Sequence, residues 1–310
     1  MLILLIAGAI LMQGFQCSSK EFTTAKVAEK NKEWEKAGEF YRKEVTNNPK
    51  NEEAWLGLIR VHMQTSDYAK AAEAVNQARE HVQKPENKQQ LTYTEYKLWA
   101  DNYQTAIKYY NQYFNKKNED FLENAKEKLD ISIAIRPKLP DLYELLGRIN
   151  EAQGDTAQAV ENYNKFINLQ QPGVDFALSK GLFVEMPESV AKSKLPAPDT
   201  TESYQYGQKD SAYSYRYNMG QDKFYLFTKS NAENQVLVMG WRYNPPEYWP
   251  SFEKIQPTAL SLNPWIALGQ LYADREDFDN AIKYVKQLSR LQPTNATINN
   301  FLVQLYQQSG

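Results

Sequence analysis

Alanine recurs along this chain at a nearly fixed interval. Ala37 and Ala71 are 34 residues apart, Ala71 and Ala106 are 35 apart, and Ala125 and Ala159 are again 34 apart. A period of this size constrains the fold more than any other feature, because it marks a stack of small supersecondary units in place of one closed core. The residues around each Ala repeat as well. The clearest copy reads Trp265, Leu268, Gly269 and Tyr272, then Asp277-Phe278, Ala281 and Pro293. An earlier copy carries Trp55, Leu58, Asp67-Tyr68, Ala71 and Ala78, with Ile59 in the Gly slot and His62 in the Tyr slot. A third has Tyr143, Leu146, Gly147, Gly154-Asp155, Ala159 and Tyr163. Ala106 and Ala125 are only 19 apart, which predicts one unpaired helix near 119–135. Ala159 and Ala281 are 122 apart, one repeat plus an insertion of 88.

Each unit has the grammar of two short helices. Small Ala residues permit close helix approach, and Trp55, Leu58, Tyr143, Leu146, Trp265 and Leu268 fill the space between helices. Pro49, Pro85, Pro137, Pro172 and Pro293 read as stops for second helices, because proline cannot continue them. A hairpin this small cannot bury its apolar faces alone, so it must stack on neighbours. Residues 295–308, with Ile298, Phe301, Leu302 and Leu305 on one face, predict a capping helix. The pattern W-x2-L-G-x2-Y, a turn, Ala and Pro resembles the tetratricopeptide repeat (TPR). That resemblance implies a mainly α fold, a solenoid of helical hairpins whose first helices line a concave, protein-binding face.

The periodicity stops after Pro172-Gly173. Residues 187–200 read as a linker, and three runs with strand character follow: 212–217, 223–228 and 235–242. Short turns between them predict an antiparallel β-meander inserted before the last repeat. In the first run Tyr213, Tyr215 and Tyr217 alternate onto one face; with Trp241 they form either an aromatic patch for a glycan or other ligand, or the packing of the sheet onto the helices. Tyr248 and Trp249 lead back to helix.

At the other end, residues 2–12 form an apolar run of signal-peptide length, followed by Cys17-Ser18-Ser19-Lys20. Eleven apolar residues are too short to span a bilayer, which takes about 20 in a helix. The arrangement resembles a bacterial lipoprotein signal, although Gln16 stands where that family places Gly, Ala or Ser and no Lys or Arg precedes Lys20. The resemblance implies lipidation of Cys17 and a place in a bacterial cell envelope. The chain then divides into a signal over 1–16, a helical array over 17–172, a linker and β insertion over 173–257, and a final repeat with its cap over 258–310.

Little in the chain points to chemistry. One Cys excludes an internal disulfide framework, and two His leave no Cys/His metal cluster and no catalytic constellation to propose. No catalytic residue, metal or cofactor is expected, and the chain is read as a non-enzyme. With 36 basic against 38 acidic residues, the charge gives no general attraction to nucleic acid. The expected function is a lipid-anchored scaffold for protein partners; the alternative is a ligand binder working through the aromatic insert. The expected groove residues are Arg60 and Arg148, at matching places in two copies, and Gln270 at the same place in the last. An arginine there is suited to receive a carboxylate through two parallel hydrogen bonds. The neighbouring residues, Leu56 and Glu144, lack the basic character of the carboxylate clamp in chaperone-binding TPR domains, so that ligand is not carried over.

Overall fold

The computed structural model describes residues 19–206, 210–245 and 259–310. The signal expected over 1–16, Cys17, and Tyr248 and Trp249 lie outside the described residues. The chain divides into two compact units, one ending at Trp99 and one running from Ala100 to Gly310. The division falls within a helix, and in the second unit the β insertion and the last repeat share a core with the repeat before them.

In the first unit, helices α1 (Lys20–Lys30) and α2 (Trp34–Asn47) form one hairpin, and α3 (Glu52–Gln64) and α4 (Tyr68–His81) form the next. Side-chain caps start three of the four: Ser19 accepts from the Phe22 N–H, Asn51 from Ala54 and Asp67 from Lys70. Each cap satisfies a backbone donor that a helix start leaves unpaired. Ala37 and Ala71 are fully buried, as close helix approach requires. Trp55 is buried between helices; its indole N–H donates to the Pro49 carbonyl at 2.9 Å and its ring stacks on His81. His62 is buried in the slot that Tyr272 occupies in the last copy, and burial, then the neighbouring Arg42, pushes its pKa down.

Helix α5 (Pro85–Lys116) corrects the expected repeat around Ala106. It is one continuous 32-residue helix, not a hairpin. Residues 86–116 contain neither Gly nor Pro, so nothing local breaks the backbone ladder. After it, α6 (Asp120–Ile135) stands where an unpaired helix is expected.

In the second unit α7 (Pro140–Ala152) and α8 (Thr156–Ser179) form a hairpin, and α10 (Asn263–Ala273) and α11 (Phe278–Leu291) form another, closed by α12 (Ala296–Gln308). Trp265 on α10 meets Phe166 on α8 edge-on at 5.8 Å, and the Tyr284 hydroxyl on α11 donates to Asn164 of α8 at 2.6 Å. The insertion therefore leaves the stacking of hairpins uninterrupted. Pro172 does not end α8, contrary to expectation: the helix runs on to Ser179. Its extra turns carry Val174 and Ala177, fully buried, and Phe176, whose ring lies 4.6 Å from that of Phe224 on the sheet. That apolar burial offsets the hydrogen bond proline removes.

The insertion holds more structure than its sequence announces. Helix α9 (Glu188–Ser193) forms within the expected linker, and the sheet has four strands, not three: β1 (Thr200–Tyr206), β2 (Asp210–Met219), β3 (Asp222–Ser230) and β4 (Val236–Tyr243). They pair antiparallel in the order β1-β2-β3-β4. The additional strand is the polar edge strand Thr-Thr-Glu-Ser-Tyr-Gln-Tyr, which lacks the apolar alternation of a half-buried one. The aromatic face turns inward. Tyr215, Tyr217 and Trp241 are buried, and Tyr213 is half-buried, so these four do not form an exposed patch. A three- or four-stranded sheet needs a covered face, and α8 supplies it.

Candidate functional site

Two of the three expected groove residues meet in one cavity. Arg148 on α7 and Gln270 on α10 line an open space of about 660 Å³, with Tyr110, Tyr113, Phe114 and Lys117 from the C-terminal part of α5 and its end forming another wall. Ile266 and Phe114 leave much of their apolar surface in water, 45% and 48% exposed, which marks the rim as a surface able to bury more on contact. Arg148 places its guanidinium 5.1 Å from the centre of the Tyr110 ring. Burial raises the Tyr110 phenol, an effect partly offset by the charge of that arginine.

Arg60 belongs to the first unit and is already engaged. Its Nε donates to Glu29 Oε1 at 2.9 Å and its Nη2 to Glu29 Oε2 at 3.1 Å, a bidentate pair. The Tyr41 hydroxyl also donates to Glu29. Burial alone pushes the Glu29 carboxyl up, but the hydrogen bonds and charge of Arg60, with the bond from Tyr41, outweigh it and hold the group below its ordinary range.

The sequence reading missed the acidic half of the second-unit cavity. Glu151, on α7, accepts a hydrogen bond from the Tyr163 hydroxyl of α8 at 2.7 Å, and both residues line the same space as Arg148 and Gln270. Burial first, and the bond to Glu151 next, push the Tyr163 phenol far up, so it stays a donor. The signal for this pair was present: Glu29 and Tyr41, and Glu151 and Tyr163, are each separated by twelve residues at equivalent places in their hairpins. Gln270 turns its amide toward Asp274 at 2.6 Å.

Among the described residues no group of three His, Cys, Asp or Glu side chains is placed to hold a metal ion. What the cavity offers is recognition: a cation on an aromatic face, a carboxylate with a fixed donor, and an apolar rim.

Profiles described as tetratricopeptide repeat match residues 28–91, 140–172 and 262–295. No curated protein matches the chain. Among solved structures it is similar to TTC0263, a thermophilic TPR protein of Thermus thermophilus, at 10% identity over 93% of this chain and 97% of that one, with a TM-score of 0.31. It is also similar to PilW, a widely conserved type IV pilus biogenesis factor, at 13% identity over 91% and 96% of the two chains, with a TM-score of 0.32. A third is YrrB, a TPR protein with an unusual peptide-binding site, at 17% identity over 49% and 85%, with a TM-score of 0.23. Scores this low carry no argument about shape, so the repeats rest on the profile matches and on the hairpins themselves. Stacked repeats of this kind are protein-interaction scaffolds, because stacking creates an extended surface that no single unit has. With three matched regions, each on helical hairpins, this chain carries tetratricopeptide repeats.

Proposed function

We propose that this protein is a lipid-anchored scaffold that holds protein partners in a bacterial cell envelope and performs no catalysis itself. The observation that carries the interaction role is the cavity of the second unit. There α7 and α10, first helices of successive hairpins, present Arg148 and Gln270 beside the exposed apolar side chains of Phe114 and Ile266. Charged and polar groups of this kind orient a partner, while the apolar rim supplies contact area. Arg60 serves the fold through Glu29, so the binding role rests on Arg148 and its cavity.

The anchor rests on the sequence: an apolar run over 2–12, then Cys17 and a polar stretch. Among the described residues no helix is long and apolar enough to cross a membrane, so attachment in this reading comes from lipid on Cys17. Each buried CH₂ contributes about 0.8 kcal/mol, and two or more chains hold where one binds only reversibly.

Crosslinking in cells followed by purification tests the interaction role. The wild-type protein is expected to bring down a defined partner that Arg148→Glu fails to retain; equal recovery removes the groove from the proposal. Metabolic palmitate labelling tests the anchor separately, since label that persists in Cys17→Ala refutes it.

A further inference from the structure

The two units contain the same arrangement in two states of completion. In the first, Lys26 precedes Glu29 by one helical turn and lies against the Phe22 ring, Tyr41 donates to Glu29, and Arg60 from the next hairpin closes on both carboxylate oxygens. In the second, Arg148 precedes Glu151 by the same turn and lies against the Tyr110 ring, and Tyr163 donates to Glu151. The helix that follows in the stack is α10, and there the place of Arg60 is taken by Gln270, whose amide is turned to Asp274. The Tyr163 hydroxyl donates to Oε2 of Glu151, and this exposed carboxylate is part of the cavity lining.

We infer that the Glu151–Tyr163 pair is the receptor for an arginine side chain supplied by the protein partner, which takes the position that Arg60 takes against Glu29 and Tyr41. The inference rests on the reading of this chain as a protein scaffold and names the chemistry of what it holds. Three features select arginine over lysine. The first unit shows that a carboxylate held by a tyrosine in this way takes a planar guanidinium in bidentate fashion. A guanidinium fork matches that geometry and an ammonium does not. The aromatic wall of Tyr110, Tyr113 and Phe114 gives the planar group and its aliphatic stem a surface to lie on. Arg148 does not exclude a second cation, because Lys26 stands in the same relation to Glu29 and Arg60 binds there nonetheless.

The test uses a defined probe: the capped tripeptide acetyl-Ala-Arg-Ala-amide, with the neutral citrulline peptide of the same shape as control, both measured by ligand-observed NMR on the whole protein. The arginine peptide is expected to bind at least about tenfold more tightly than the citrulline peptide, the loss a charge-assisted bond implies. Glu151→Gln should abolish that preference. Gln270→Arg should abolish it too, and raise the thermal midpoint, because the new side chain completes the triad from within. This second variant leaves the Glu151–Tyr163 bond intact, so a folding defect in the first does not decide the matter. Equal binding of the two peptides to the wild type, or undiminished arginine preference in Gln270→Arg, overturns the inference. If the crosslinked partner still depends on Arg148 in that event, the scaffold role stands and only the arginine receptor falls.

Discussion

Gly147 lies directly beneath the ring of Tyr163: a Cβ built at 147 would stand 2.5 Å from Cε1 and 2.6 Å from Cδ1. Gly147 is therefore a seat for this large second-helix ring, whereas Gly269, in the same slot of the last copy, meets the smaller Val285. In the second copy the same slot holds Ile59, and the place of the ring is taken by the smaller Val75, both fully buried. Gly147→Ala is expected to cost about 1–3 kcal/mol, the usual effect of forcing a methyl into a filled space. Because the ring also carries the hydroxyl that binds Glu151, the substitution should weaken the cavity as well. Urea denaturation measures the first effect; an unchanged midpoint would show that the ring has room to move.

The Glu29–Arg60 pair carries a pH dependence of definite sign. The folded-state carboxyl lies below its ordinary value of 4.5, so its contribution is present above that value and is lost as the pH falls through the depressed one. Arg60 is 43% exposed, so solvent screens the pair and Glu29→Gln should cost under about 1 kcal/mol at pH 7. The difference between wild type and variant should shrink below pH 4.5. Denaturation curves at about pH 7 and about pH 3 check this, and a gap that widens in acid contradicts it.

Tyr217 is a case of the opposite kind. Its hydroxyl is buried and has no hydrogen-bond partner among the described residues, and burial pushes its pKa up to about 12. An unpaired buried hydroxyl is a net cost, so Tyr217→Phe should leave stability unchanged or raise it by up to about 1 kcal/mol. Tyr41→Phe, which removes a donor from Glu29, should lower it. Equal losses in both variants would mean that the ring of Tyr217 is held by its hydroxyl.

Much of this architecture was legible because repetition multiplies weak signals. A single Ala is uninformative, but Ala at a 34-residue spacing beside Trp55, Tyr143 and Trp265 marks hairpins, and those hairpins are where the period puts them. The misreadings have local causes. The spacing of Ala106 fits the period, yet a stretch without Gly or Pro prefers to stay one helix. Pro172-Gly173 reads as a stop, but the burial of Val174 and Ala177 against the sheet, a long-range effect, carries α8 through it. In the cavity, Arg148 and Gln270 could be found by matching positions between copies. The acidic partner was overlooked because Glu151 taken alone looks like any exposed helix carboxylate. Its meaning comes from Tyr163, twelve residues later and on another helix.

The final prediction concerns the β insertion, where the two open readings separated. Trp241 is 1% exposed and belongs to one continuous core with Phe224 and Tyr217 of the sheet, Val174 of α8, and Trp265 and Leu268 of the last repeat. Its ring also packs over Gly173, where an added Cβ would stand 3.2 Å from Cδ1. Truncation at such a site leaves a cavity that neighbours fill only in part, so Trp241→Ala should cost about 3–5 kcal/mol. The loss should not be confined to the sheet. Because α8 packs against both the sheet and α10, near-ultraviolet and far-ultraviolet signals of the second unit should fall together on heating. Deleting 200–245 should likewise unfold α8 and the helices after it, not excise a dispensable ornament. If the helical signal instead survives the deletion with its midpoint unchanged, the sheet is an appendage and the aromatic core that joins it to α8 contributes nothing to holding the last hairpins together.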